Sequence, residues 1–168
     1  RPRKHRTAGR VRLHVFCRRP ESGTACGDEA GMEEIMERSL LVGGFGGQGV
    51  MVIGQLMCYT ACETTDLEVT FFPSYGGEQR GGTANCFVTM ADMPIGAPVA
   101  EFMDDIMVLN DPSMTKFQSQ VKPGGNLFIN SSIVTTEPTR NDIHIIKVPA
   151  NEIADELGNS KVANLVMA

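Results

Sequence analysis

From Arg38 onward the apolar positions gather into short runs separated by Gly, Pro, Asn and Asp, and the runs differ in length. SLLVGG and LEVTFF have the length of strands, whereas the stretch between them, Gln48 to Glu63, stays apolar long enough to form a helix. Four more strand-length runs follow, ANCFVTMA, DIMVLN, GNLFINSS and DIHIIKVP, each bounded by turn-forming residues. Between the second and third of these, DPSMTKFQSQVKPGG predicts a short helix with Asp111 as N-cap, Pro112 at the first helical position and PGG as its stop. NEIADELGNSKVANLVMA predicts a helix from an Asn151 cap to Leu157, ended by Gly158, and a further helix from Ser160. That last pattern runs to Ala168 without a stop signal, as expected of a fragment. The alternation predicts an α/β domain, a mainly parallel sheet flanked by helices.

The helix GVMVIGQLMCYTACE is apolar on nearly every face, unlike a helix that rests on one sheet and otherwise meets water. It needs a second cover, either more core or a partner subunit. Gly54 within it permits close backbone approach at a cost of about 1 kcal/mol relative to Ala. Several of the ten methionines lie in this region, where they suit either gap-filling or an adaptable interface.

Composition narrows the class. A chain of 168 residues holds one domain with a real core, and no apolar stretch approaches the roughly 20 residues that cross a bilayer. Residues 1–31 carry eight Lys/Arg against three Asp/Glu, and residues 32–168 carry seven against seventeen. The second part, near -10, makes nucleic acid an unpromising partner. The first part lacks apolar periodicity and the apolar core of a secretory signal; it is expected to be a disordered basic extension, from read-through upstream of a start at Met32 or foreign to the natural chain. Residues 32–168 are then the folded domain. Five cysteines without a C-x-x-C pair or zinc-site spacing fit reduced thiols in the cytoplasm, and Cys58 with Cys62, four apart on a helix, reads as core rather than metal.

The candidate chemistry lies in two glycine-rich loops. LLVGGFGGQGVMVIGQ places five glycines in seven residues between a strand and a helix, and Gly44, Gly46 and Gly49 satisfy the dinucleotide-binding spacing G-x-G-x-x-G. Such a loop turns tightly and offers N-H groups to an anion. A ribose-holding acid should then end the next strand, but Asp66 and Glu68 stand at that strand's start, and the absence of Gly-Lys-Ser/Thr excludes a P-loop. A free-standing NAD(P)-binding Rossmann dehydrogenase is therefore the alternative reading. PSYGGEQRGGTANC follows the second strand, so both loops should share the sheet edge that forms the ligand crevice in α/β proteins. Arg80 between glycines suits phosphate or carboxylate, and Glu78 has two open roles, orienting Arg80 or meeting a basic group of a partner. The plainer alternative is a solvated loop holding a Glu-Arg pair worth under about 1 kcal/mol.

GGFGGQGV at the first strand with PSYGGEQRGGTANC after the second strongly resembles the gamma subunit of 2-oxoacid:ferredoxin oxidoreductases. The likeness continues through NDPSMTKFQSQVKPGGNLFINSS and VPANEIADELGNSKVANLVM, covering roughly residues 38–168. It is nearest the 2-oxoglutarate and branched-chain type, whose loop pattern P-S-Y-G-x-E-x-R-G-G-T-A-N-C is matched at every fixed position. The resemblance implies a single Rossmann-like domain within a cytoplasmic complex that decarboxylates a 2-oxoacid on thiamine diphosphate with Mg, passes electrons through iron-sulfur clusters to ferredoxin, and hands the acyl group to coenzyme A. It places the thiamine diphosphate, Mg and clusters in alpha, beta and, where present, delta subunits. None would be bound by this chain alone, which would carry no catalytic residue or metal of its own and be inactive in isolation. A gamma subunit covers the active site and contacts coenzyme A. In this chain the implied contacts with coenzyme A or a subunit are Gly44, Phe45, Gly46, Gly47, Gln48 and Gly49 in the first loop. In the second they are Ser74, Tyr75, Gly76, Glu78, Arg80 and Gly81, followed by Gly82, Thr83 and Asn85. The basic extension has no place in that family, and the family's usual final helical stretch is missing beyond Ala168. A pure scaffold without ligand contact is the third possibility; it predicts that the second loop tolerates change freely.

Overall fold

The strand-length runs of the sequence all become strands of one sheet, in a computed structural model that describes residues 36–75 and 82–168. Strand β1 spans Glu37–Phe45, helix α1 Val50–Thr64, β2 Glu68–Tyr75, β3 Thr83–Ala91 and β4 Met103–Val108. Helix α2 spans Asp111–Phe117, β5 Val121–Asn130, β6 His144–Val148, α3 Ala150–Glu156 and α4 Ala163–Met167. The sheet order is β2-β3-β1-β4-β5-β6. β1, β4, β5 and β6 are mutually parallel, and β3 alone runs against its neighbours β1 and β2. The mainly parallel α/β domain expected from the sequence is present, with one arrangement that the apolar pattern does not show. β2 and β3 form a hairpin, and β3 lies between the first two strands of the chain.

Burial on both sides of β1 explains its nearly continuous apolar sequence. Leu40 and Val42 face α1, where they meet Val50, Ile53, Cys58 and Ala61 together with Val69, Phe71, Cys86 and Val88. Leu41 points to the other face, among Ile106, Val108, Leu127 and Ile129, which are covered by Met114 and Phe117 of α2. Each such buried aliphatic side chain contributes about 1.5 to 3 kcal/mol of transfer free energy. Gly54 sets the distance of α1 from the sheet: a Cβ there would lie 2.6 Å from Cys86 Sγ and 2.7 Å from Phe71 Cε2. Burial pushes the thiols of Cys58 and Cys86 up to about 12, so both stay neutral and act as small apolar groups. Outward, Val52, Leu56 and Tyr59 stay exposed at 47%, 41% and 54%, so the described residues leave this stripe of α1 uncovered.

Charged side chains fasten the opposite ends of the central strands. The Arg38 guanidinium donates to both oxygens of Asp105, at 2.6 and 3.0 Å. Ser39 N and Oγ donate to Asp104 at 2.8 and 2.9 Å, and Lys122 Nζ reaches its other oxygen at 2.8 Å. Burial alone would raise the Asp104 carboxyl, but the Lys122 and Ser39 donors outweigh it and hold it below the usual carboxylate range.

Several local signals shift. Asn110, rather than Asp111, caps α2, its Oδ1 accepting from Ser113 N at 2.8 Å, and Asp111 is the first helical residue. Asp111 instead accepts from the backbone N-H groups of Thr135 and Thr136, 24 and 25 residues away. The PGG stretch lies within β5, after α2 has ended at Phe117; the register shifts beside it, and Gly124 takes a φ of 77°. Asn151 sits inside α3, which follows Pro149, and its carboxamide faces Asn130. Gly158 (φ 78°) ends α3 as expected, and Asn159 rather than Ser160 caps the 3-10 turn leading into α4. Among the described residues no helix is long and apolar enough to cross a membrane. The basic extension of residues 1–31 lies outside the described residues.

Candidate functional site

The chain leaves β1 through α1 on one face of the sheet and leaves β4 through α2 on the other, so the carboxyl ends of β1 and β4 form the topological switch point where α/β sheets open a crevice. The first glycine loop fills one side of it. Gly47 and Gly49 have φ of 103° and 81°, the left-handed region in which side chains are strained, and this backbone turns β1 directly into α1. Helix α1 follows its N-cap Gly49 with neither a capping side chain nor an acid in its first turn, so among the described residues no side chain of that turn offsets its positive end.

Gln48 holds the loop from inside. Its Oε1 accepts from Phe45 N at 2.7 Å and from Asn110 Nδ2 at 3.3 Å, and its Nε2 donates to Leu109 O at 3.1 Å. The side chain therefore bridges the ends of β1 and β4 and touches the residue that caps α2. Gly44 permits this, since a Cβ there would lie 2.8 Å from Gln48 Oε1. Amide side chains suit this position because they donate and accept at once.

The second loop meets the first. Gly46 N donates to Gly82 O at 3.1 Å, and Phe45 pairs with Thr83 at the last step of the β1-β3 ladder. Ser74 and Tyr75 end β2, paired with Asn85 and Ala84; Tyr75 is exposed and Asn85 is buried. Gly76, Glu78, Arg80 and Gly81 lie outside the described residues. The structure thus brings the flanks of the two glycine loops to one sheet edge. It also separates β2 from β1 by the full width of β3, so an acid ending β2 would not stand beside the first loop as ribose binding requires.

On the other side of Gly47 and Gln48 the structure opens a cleft of about 430 Å³. Leu109 and Asn130 line it from the strand ends, Asn151 from α3, and Ser160, Lys161 and Asn164 from the start of α4 and the turn before it. Of these residues the apolar pattern singles out only Asn151, as a helix cap, and Ser160, as a helix start. Three of them share an amide side chain, Asn130 at the end of β5, Asn151 on α3 and Asn164 on α4. Among the described residues no cluster of His, Cys, Asp or Glu has the arrangement of a metal site.

Fold and site together define a Rossmann-like α/β domain whose first glycine loop is coupled to a β-hairpin, with β3 standing where a ribose-binding strand would be. The chain belongs to the pyruvate ferredoxin/flavodoxin oxidoreductase family, which it matches over residues 39–168. It is 34% identical over 134 residues to the ketoisovalerate oxidoreductase subunit VorA of Methanothermobacter marburgensis, covering 80% of this chain and 28% of that subunit. It thus spans little more than a quarter of that relative's length. The 2-oxoglutarate synthase subunit KorC of Methanocaldococcus jannaschii is 31% identical over 134 residues, covering 79% of this chain and 72% of the relative. Among solved structures, the gamma subunit of a keto/oxoacid ferredoxin oxidoreductase from Geobacter sulfurreducens is similar with a TM-score of 0.68 at 25% identity, over 77% of this chain and 71% of that one. The chain is accordingly a domain of gamma-subunit type, and the free-standing dehydrogenase is not favoured.

Proposed function

We propose that this chain acts as the gamma subunit of a thiamine-diphosphate-dependent 2-oxoacid:ferredoxin oxidoreductase, covering the active site and contacting coenzyme A through its two glycine loops. The reaction converts 2-oxoacid, coenzyme A and oxidised ferredoxin to acyl-coenzyme A, CO2 and reduced ferredoxin. In this reading thiamine diphosphate, Mg and the iron-sulfur clusters sit in alpha, beta and, where present, delta subunits of a cytoplasmic complex. This chain contributes backbone N-H groups, the positive end of α1 and the Arg80 guanidinium to an anionic co-substrate. The observation that carries the reading is the junction of the two loops, with Gly46 N donating to Gly82 O at the carboxyl ends of the strands. That junction brings the flank of the Arg80 loop to the turn between β1 and α1.

The test is Arg80→Ala in a reconstituted complex. Loss of a charged hydrogen bond is worth about 1.5 to 3 kcal/mol, so coenzyme A-dependent turnover should fall about 10- to 150-fold while the subunits still co-purify. Unchanged coenzyme A kinetics would remove the anion role and favour a scaffold. Micromolar binding of NAD or NADP by the purified chain would instead restore the dehydrogenase reading.

A further inference from the structure

β6 is the outermost strand on its side of the sheet, and among the described residues nothing pairs with its outer edge. His144 to Lys147 are all exposed, including the two isoleucines, Ile145 at 40% and Ile146 at 38%. Which main-chain groups face outward follows from the ladder with β5. Ser131 N donates to Val148 O at 2.9 Å, so Val148 turns its main-chain groups toward β5. Residues alternate in a parallel pair, so Ile146 and His144 face β5 as well. The N-H and C=O groups of Ile145 and Lys147 therefore point away from the sheet, without partners among the described residues.

Native sheets guard such edges with proline, bulges or free charge, lysine above all. β2, the opposite edge, carries Pro73, which has no N-H to offer. β6 has no proline and keeps an unbroken register with β5. Its lysine is also neutralised: Lys147 Nζ donates to both carboxylate oxygens of Glu137, at 3.0 and 2.9 Å. An unguarded edge with two exposed isoleucines is a template for another strand.

We propose that β6 pairs with β6 of a second copy of this chain, antiparallel about a two-fold axis at Ile146, joining the two sheets into one. The alternation of outward and inward residues selects this register. An axis between two residues would set an outward residue opposite an inward one, and no bonds would form. An axis at Lys147 would oppose the two lysines, and one at Ile145 would leave Lys147 and Val148 beyond the facing strand. About Ile146 all five residues pair: Ile145 of each copy exchanges main-chain hydrogen bonds with Lys147 of the other, and His144 falls opposite Val148. No like charges meet, and each Lys147 keeps its Glu137. The two Ile146 side chains meet at the axis, in the non-hydrogen-bonded position where side chains lie closest. β4 and β5 separate β6 from β1, so the pairing leaves the glycine-loop crevice of each copy clear. A five-residue edge buries less than the roughly 1,600 Å² of a standard interface, so the dimer is weak and concentration-dependent.

The experiment is analytical ultracentrifugation of the full chain between about 1 µM and 1 mM, where the mean mass should rise from that of the monomer towards twice it. Ile145→Pro removes an outward N-H from each copy without touching the bonds to β5, and should weaken the dimer about tenfold or more, with circular dichroism confirming the fold. Register is read by cross-linking. Under mild oxidation Ile146→Cys should form disulfide-linked dimer well above the wild-type background, because the two side chains face each other across the axis. Ile145→Cys, which faces Lys147 of the second copy, should not. A chain that stays monomeric throughout, a dimer unchanged in folded Ile145→Pro, or equal cross-linking at the two positions would each overturn the pairing. If Ile145→Pro fails to fold, the two cysteine variants decide alone. A monomeric chain whose co-purifying subunits are lost in Ile145→Pro would assign the edge to another protein and overturn the second copy as its occupant.

Discussion

Replacing Gln48 probes how the glycine loop keeps its shape. The side chain ties Phe45 N to Leu109 O, the latter 61 residues from Gln48 itself, and leucine would fill a similar volume with no polar atom. Phe45 N-H and Leu109 C=O would then be left without their partner in partly buried surroundings. With each net hydrogen bond worth about 1 kcal/mol and a stranded buried group costing more, Gln48→Leu should lower stability by about 2 to 3 kcal/mol. Gln48→Glu separates the two halves of the amide. Its carboxylate still accepts from Phe45 N and Asn110 Nδ2 but cannot donate to Leu109 O, and it sets a negative charge against that carbonyl. The protonated form regains the donor, so the introduced carboxyl has a folded pKa raised above its unfolded value. Its stabilisation is complete below the unfolded pKa and is lost as pH rises through the folded pKa. Urea midpoints measured alongside wild type between about pH 4 and pH 8 should show a constant deficit for leucine and a growing one for glutamate. A leucine deficit under about 0.5 kcal/mol, or a glutamate deficit independent of pH, would refute the bridging role.

Two further outcomes follow from the core and the charged strand ends. Gly54→Ala should gain about 1 kcal/mol of helix propensity but lose about 1 to 3 kcal/mol by overpacking against Cys86 and Phe71, a net loss that chemical denaturation would detect; a stabilised variant would contradict the close approach. Asp104 has its folded pKa depressed, so the stability it provides is present above the unfolded value and disappears as pH falls through the folded one; Asp104→Asn should flatten that acid limb of a stability profile, and an unchanged limb would exclude Asp104 as its source.

The elements of this domain are legible in the sequence where periodicity and length suffice, as in β1, α1 and β4. The position of β3 is not. Nothing in ANCFVTMA distinguishes an antiparallel insertion from another parallel strand, because a strand buried on both faces reads the same either way. The α2 cap fails by one residue for a related reason: Asn110 and Asp111 are both good caps, and the choice depends on Thr135 and Thr136 claiming Asp111. The glycine loop and its Gln48 stand out in the sequence, but the groups facing them across the cleft do not. Asn130, Asn151 and Asn164 belong to separate elements, and each looks like ordinary turn chemistry until β5, α3 and α4 pack together.

The placement of β3 also governs how the chain must assemble. β1 emerges first among the described strands, but both of its neighbours come much later, and its bond from Ser39 to Asp104 spans 65 residues. At ribosomal rates of about 5 to 20 residues per second, β1 waits roughly 3 to 13 s for β4, and until then β3 is its one available neighbour among the described strands. Local pairing of β2 with β3 can precede it, since that hairpin closes a short loop. Among the described strands, the one that carries the glycine loop is therefore made first and flanked last, and its pairing on both sides depends on long-range closure, the kind of contact that slows folding.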